Sequence, residues 1–363
     1  MSEICRFDEQ VSLSLRELYQ RYGYTQFKMS KFEAYDLYMK NKEFLVSDGI
    51  ITFTDTDGTL LALKPDVTLS IVKNYRPTDF TLQKICYSEY VYRSHDSGLG
   101  YKEIMQSGLE CLGDIGNYEI WEVLLLALKS LSQISNRYLL TLSHAELLNA
   151  FLQRENIPET CYSEILSCLE EKNSDALQNI CGLSDQAISR LQWLTSLSGP
   201  LSETLPVLSS LSDTDAYQQL DAISSLLKQA DLDKYVTLDF SLVNNRDYYN
   251  GIVFRGYVES LPDSVLAGGQ YDNLMIKMGK SSKGIGFAVY LDQISLLEKR
   301  NKNYDIDTVV LYDNTCDLLS VARTAETFSQ EGVLMLKQLP SSLRYRKKVI
   351  MKNGAVVKVE NND

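Results

Sequence analysis

The chain has 363 residues, 44% hydrophobic and 23% charged, with 19 Gly and 7 Pro; this is ordinary globular composition for about two domains, which excludes a low-complexity or largely disordered chain. Net charge is −12, from 36 Lys plus Arg against 48 Asp plus Glu, which argues against nucleic acid as the main partner, because phosphate backbones demand a basic footprint. No apolar run approaches the ~20 residues of a membrane helix, and the opening MSEICRFDEQ has no signal-peptide core, so a cytoplasmic protein with no membrane partner is expected.

Residues 7–22 read as an amphipathic helix, with Val11, Leu15, Leu18, Tyr19 and Tyr22 near one face and Gly23 ending it. A hairpin is expected across Asp57-Gly58, pairing residues 50–54 with residues 60–63. Lys64-Pro65-Asp66-Val67-Thr68 opens a helix, with Pro65 suited to its first turn. Residues 82–93 and 103–113 read as strands joined by a glycine-containing loop, and residues 119–133 as a strongly apolar helix. Residues 145–233 are almost all helical, with breaks near Pro158, Gly182 and Gly199-Pro200, and read as an insertion between two halves of a sheet. Strand signals resume at residues 236–242, run through 248–257 and, past Gly268-Gly269, reach 284–289; a helix follows over 290–299.

Residues 300–305 are a polar linker, which divides the chain into a core over 1–299 and a C-terminal segment over 306–363. That segment reads β-α-β-ββ, with a closing hairpin across Asn353-Gly354. The two sheet halves, separated by helices, predict an α+β protein with a mixed, mainly antiparallel sheet.

Charge is uneven along the chain. Residues 142–235 hold 14 acidic and 5 basic residues, whereas residues 301–363 hold 8 and 9. The densest basic cluster, Arg344, Arg346, Lys347 and Lys348, reads as a solvated edge strand or loop. Seven cysteines without a C-x-x-C pair fit neither a disulfide framework nor a zinc site. Cys161 and Cys168, seven apart in a helical pattern, fit buried packing. Two histidines, His95 and His144, are too few for a His-rich metal site, so no metal and no cofactor is expected.

Four clusters carry chemistry. The first is Asp66 and Thr68 at a strand-to-helix junction. The second is Tyr92-Arg93 followed by residues 105–110; Gln106, Gly108 and Glu110 share one strand face by the period of two, and that face is either a pocket wall or a solvent face. The third is Asn244-Asn245-Arg246-Asp247-Tyr248-Tyr249-Asn250-Gly251. The fourth is Ala267-Gly268-Gly269-Gln270-Tyr271-Asp272 with Gly284-Ile285-Gly286-Phe287-Ala288. Neither glycine group matches a phosphate-loop fingerprint.

In this order, over roughly residues 7–299, the clusters resemble the catalytic core of histidyl-tRNA synthetase, a class II aminoacyl-tRNA synthetase. LALKPDVT looks like the family's L-R-P-E-G-T, and VYRSHDSGLGYKEIMQSGLECLG like its motif 2. NNRDYYNGIVF looks like R-G-L-D-Y-Y-x-G-x-V-F, AGGQYDNL like A-G-G-R-Y-D-G-L, and GIGFAVYLDQI like motif 3. The resemblance implies a class II synthetase-like core, with the helical insertion and a short C-terminal α/β tail. It also implies a histidine pocket: Asp66, Thr68 and Gln106 near the amino group, Glu110, Tyr249 and Tyr271 around the imidazole with Tyr248 beside them, and Arg93 toward the carboxylate.

The departures fall on the activation machinery. The family's catalytic arginine aligns with Asn244, the motif 3 arginine with Gln293, and a motif 2 glutamate with His95. Amino-acid activation needs fixed cations on phosphoryl oxygens, and each lost contact can cost ~3 kcal/mol, so adenylation is expected to be very poor and no catalytic residue is assigned. The acidic insertion and the shortened tail remove the expectation of tRNA binding. A histidine pocket without activation arginines resembles a paralogous branch, the regulatory subunits of ATP phosphoribosyltransferase. That resemblance implies a short-form catalytic partner in a hetero-octamer, L-histidine as feedback effector, and self-dimerisation through residues 7–35. An active or degenerate synthetase, or a synthetase-like module that binds another molecule, are the alternatives; the histidine site is either the old amino-acid pocket or a subunit interface.

Overall fold

A computed structural model of the chain describes residues 5–45, 49–76, 82–94, 100–242, 249–301 and 304–362. They divide into two units, Met1–Ser295 and Leu296–Asp363. The first unit begins α1 (Phe7–Arg21), β1 (Thr25–Gln26), β2 (Phe32–Ala34), α2 (Tyr35–Met39), β3 (Thr52–Thr54), β4 (Leu60–Leu63) and α3 (Thr68–Asn74). It continues β5 (Leu82–Ser94), β6 (Tyr101–Gly113), α4 (Asn117–Ile134), β7 (Tyr138–His144), α5 (Ala145–Arg154), α6 (Tyr162–Glu170) and α7 (Asp185–Ser196). Then come β8 (Ser198–Pro200), α8 (Leu201–Thr204), α9 (Asp215–Gln229), β9 (Val236–Asp239), β10 (Ile252–Val258), β11 (Leu266–Gln270), α10 (Asp272–Lys277) and β12 (Lys283–Tyr290). Helix α11 (Leu291–Asn301) carries the chain into the second unit.

Nine strands form one sheet in the order β1-β5-β6-β12-β11-β10-β7-β9-β8. Only β1–β5 and β7–β9 are parallel pairs, so the sheet is mixed and mainly antiparallel, as expected of an α+β core. Its register sorts the side chains into two faces. Leu109, Phe287, Gly268, Phe254 and Leu142 lie in one row across five strands. This face packs on α1 and α4: the Tyr19 ring meets Phe287 edge-on at 5.9 Å, and its hydroxyl lies 3.0 Å from Ser130 Oγ. The next row, Glu110, Gly286, Gly269 and Val253, points to the opposite face, where the small residues leave room for a ligand.

The elements of this unit follow the sequence reading with three differences. Strand β7 was not expected; it pairs with β10 on one side and β9 on the other, so the helical insertion is a crossover that extends the sheet outward, and the short β8 lies within it. Gly268 and Gly269 sit inside β11 rather than between strands. Helix α3 starts at Thr68, beyond Pro65, because Asp66 Oδ1 accepts the Leu69 N–H at 2.8 Å and satisfies a free donor of the first turn. Cys161 and Cys168 are buried, as their spacing suggested.

The second unit holds β13 (Ile306–Leu311), α12 (Leu318–Phe328), β14 (Val333–Leu336), β15 (Tyr345–Lys352) and β16 (Ala355–Asn361), in sheet order β14-β13-β15-β16. Asn353 and Gly354, with φ of 53° and 77°, turn the expected hairpin. The basic cluster is not an edge strand: Arg346, Lys347 and Lys348 lie on β15, an interior strand. Its charges are answered locally, Arg344 by Asp305 at 2.7 Å, Arg346 by Asp307 at 2.8 Å and Lys348 by Glu360.

One buried ion pair fixes the junction that feeds the pocket. Lys64 is fully buried, and its Nζ donates to Glu89 Oε2 on β5 at 2.6 Å. The Lys64 carbonyl accepts the Tyr92 N–H at 3.0 Å, so the β4–α3 junction is tied to β5 twice. Removing one member strands a buried charge, whereas replacing both with apolar groups does not. Glu89→Leu is therefore expected to lower unfolding free energy by about 3–5 kcal/mol, and Lys64→Met/Glu89→Leu by much less. Urea titration of the two variants measures the difference.

Candidate functional site

On the open face of the large sheet, Asp66, Thr68, Arg93, Gln106, Glu110, Tyr249 and Tyr271 line one cavity of about 620 Å³. Thus seven of the eight residues singled out for a ligand converge, from the α3 junction, β5, β6, the segment before β10, and the start of α10. The eighth, Tyr248, lies outside the described residues, as do Asn244, Asn245, Arg246, Asp247 and His95. Gln293 sits in the first turn of α11 and is half-buried, off the cavity wall.

Glu110 is the centre of the site. It is 2% exposed and Gln106 is 3% exposed, so their strand face is a pocket wall and not a solvent face. Thr68 Oγ1 donates to Glu110 Oε1 at 2.7 Å, and the Tyr271 hydroxyl donates to Oε2 at 2.5 Å. The carboxyl fits there because its cross-strand neighbour is Gly286: a Cβ at that position would lie 1.8 Å from Glu110 Oε2. Gly269 does the same for Tyr249, since a Cβ would lie 2.5 Å from the tyrosine ring. The polar wall therefore rests on a floor stripped of side chains.

Burial pushes the Glu110 carboxyl up to about 8; the Tyr271 and Thr68 hydroxyls pull it down, and the charge of Asp66 raises it further. Asp66 is also raised by burial, against the Leu69 N–H and the Arg93 guanidinium that favour its charged form. Burial raises the Tyr249 phenol too. Arg93 is braced over this corner, its Nε donating to the Pro65 carbonyl at 3.0 Å. Two buried carboxyls beside phenol and hydroxyl groups suit a ligand that brings positive charge or N–H donors, such as an ammonium and an imidazole.

The sequence reading missed Tyr87, Glu170, Arg255 and Tyr290 on the same cavity. Arg255 and Tyr290 were within reach of the period-two rule, because they lie on rows that cross β6 at Gly108 and Gln106. Glu170 was not, since it arrives from the end of α6, in the crossover.

The raised Glu110 carboxyl has a stability consequence. Between its ordinary 4.5 and about 8, the folded chain holds a proton that the unfolded chain releases. Stability therefore falls as pH rises through this window, by at most about 1.4 kcal/mol per pH unit for this group. Glu110→Gln removes the dependence. Unfolding free energies of the ligand-free proteins at pH 5.5 and 8 are expected to give a smaller decline for Glu110→Gln than for wild type.

A family model described as histidyl-tRNA synthetase matches residues 3–294. An ATP phosphoribosyltransferase regulatory subunit of Clostridium kluyveri is 27% identical, across 91% of this chain and 88% of its own length. The fold is similar to a Bacillus halodurans crystal structure described as an ATP phosphoribosyltransferase regulatory subunit/histidyl-tRNA synthetase, with a TM-score of 0.70 at 22% identity over 94% of this chain and 93% of that one. It is also similar to a chain of the ATP phosphoribosyl transferase (HisG:HisZ) complex from Thermotoga maritima, with a TM-score of 0.63 at 21% identity over 78% of this chain and 97% of that one. The matched model spans most of the chain and takes in every element that lines the cavity, and the chain belongs to the histidyl-tRNA synthetase family.

Proposed function

We propose that this chain is a non-catalytic regulatory subunit required for ATP phosphoribosyltransferase activity, the first step of histidine biosynthesis, and that it mediates feedback inhibition by histidine. One contrast carries the reading. The residues suited to holding an amino acid converge around Glu110, while the positions expected to hold ATP phosphates are Asn244 and Gln293. Asn and Gln lack the charge and the rigid fork that activation requires. The regulatory subunit of Clostridium kluyveri, aligned along most of both chains, supports the same reading.

Histidine sits in the cavity, its imidazole against Glu110, Tyr249 and Tyr271 with Tyr248 beside them, its ammonium near Asp66, Thr68 and Gln106, and its carboxylate on the Arg93 side. The partner is the short-form catalytic subunit, in a cytoplasmic hetero-octamer in which this chain also pairs with itself through residues 7–35. Regulation is linkage: histidine binds one quaternary state better, and a differential of about 1–3 kcal/mol shifts the partner's activity 5- to 150-fold.

A second reading, a degenerate histidyl-tRNA synthetase, is favoured by the matching family model. One assay separates the two. Mixed with the short-form catalytic subunit of the same genome, this chain is expected to switch on product formation, and added histidine to suppress it. Activity indifferent to this chain, together with histidine-dependent ATP–pyrophosphate exchange by the chain alone, overturns the regulatory reading in favour of the synthetase.

A further inference from the structure

The cavity has a second guanidinium that no motif led to. Arg255 lies on β10, where the register sets it across from Ala267, then Ala288 on β12 and Gly108 on β6. That row is two residues along the sheet from the row of Glu110, Gly286 and Gly269, and so faces the same cavity. Between the two ends of the row stand only the small residues Ala267 and Ala288; the Tyr249 ring lies over Gly269 and the Tyr87 ring over Gly108, and both rings line the cavity with Arg255. Arg255 is half-buried, and among the described residues no hydrogen bond or ion pair engages its guanidinium. Arg93, by contrast, is already braced on the Pro65 carbonyl beside Asp66.

The cavity carries the carboxyls of Asp66 and Glu110 on the α3 and β6 side, Glu170 from the end of α6, and the Arg255 guanidinium on the β10 side. A half-buried guanidinium facing a cavity is a strong site for a carboxylate, because its planar fork of N–H donors can grip both oxygens at once. An α-amino acid with a basic side chain has the matching polarity, two basic ends and one carboxylate. We propose that Arg255 is the principal carboxylate-recognising residue of this cavity, gripping the carboxylate of the bound amino acid through a bidentate pair, while Arg93 mainly balances Asp66. The assignment rests on the reading of the cavity as a histidine site and names the residue that distinguishes histidine from its decarboxylated amine.

The test is a two-by-two comparison by calorimetric titration of the full chain. Wild type and Arg255→Met are each titrated with L-histidine and with histamine, which keeps the imidazole and the amine but lacks the carboxylate. Loss of a charge-assisted bidentate contact is expected to weaken histidine roughly 10- to 100-fold. Histamine affinity should change less than about threefold, since it makes no such contact. Arg255→Lys, which keeps the charge without the fork, should fall between wild type and Arg255→Met for histidine. Equal losses for the two ligands, or unchanged histidine affinity in Arg255→Met, overturn the role of Arg255 while leaving the histidine reading intact. Wild type that binds neither ligand at millimolar concentration overturns both.

Discussion

The site depends on one carboxyl group kept almost wholly out of water. Glu110 is 2% exposed, and each of its oxygens accepts from one hydroxyl, Thr68 on one side and Tyr271 on the other. Those contacts draw in separate parts of the fold. Thr68 begins α3, whose position is fixed by the buried Lys64–Glu89 pair; Tyr271 precedes α10, and Gly286 on β12 vacates the volume the carboxyl occupies. A buried acid with only hydroxyl partners is poorly compensated, and its carboxyl is accordingly pushed up to about 8. The cavity is thus suited to a ligand carrying N–H groups or positive charge.

Under the proposed function, this arrangement separates binding an amino acid from activating it. Recognition needs neutralising and hydrogen-bonding groups around a small zwitterion, and these converge on the glycine-floored face of the sheet. Activation needs fixed cations on phosphoryl oxygens, and the resemblance of the motifs implies Asn244 and Gln293 where the family has arginines. Under the proposed function, such a site binds histidine without consuming it, as a sensor of metabolite concentration requires. Any effect on a partner then follows from differential affinity between quaternary states.

Much of this was legible in the sequence, because local rules governed it. Alternation set Gln106, Gly108 and Glu110 on one face, turn residues marked the hairpins at Asp57-Gly58 and Asn353-Gly354, and the order of five short motifs pointed to the family. What escaped was set by tertiary partners. Strand β7 merges into the apolar stretch after α4 and is a strand only because β10 and β9 flank it. The basic run at β15 is solvated at Arg344 and Arg346, but β15 lies between two strands and not at an edge, with Asp305, Asp307 and Glu360 answering charges of the run. Arg255 sits in an apolar strand, where a lone arginine reads as surface decoration until the register shows which face it shares. Glu170 reaches the cavity by way of the crossover, a relation no spacing rule encodes.

The central claim is that Glu110 anchors histidine in this cavity, and the most direct test is calorimetric titration of L-histidine into wild type and Glu110→Gln. The amide keeps the size and a hydrogen-bonding oxygen but loses the negative charge, so affinity is expected to fall at least about tenfold, the equivalent of one charge-assisted hydrogen bond. Histidine affinity that is the same in the two proteins would contradict the account and place the effector site elsewhere on the chain.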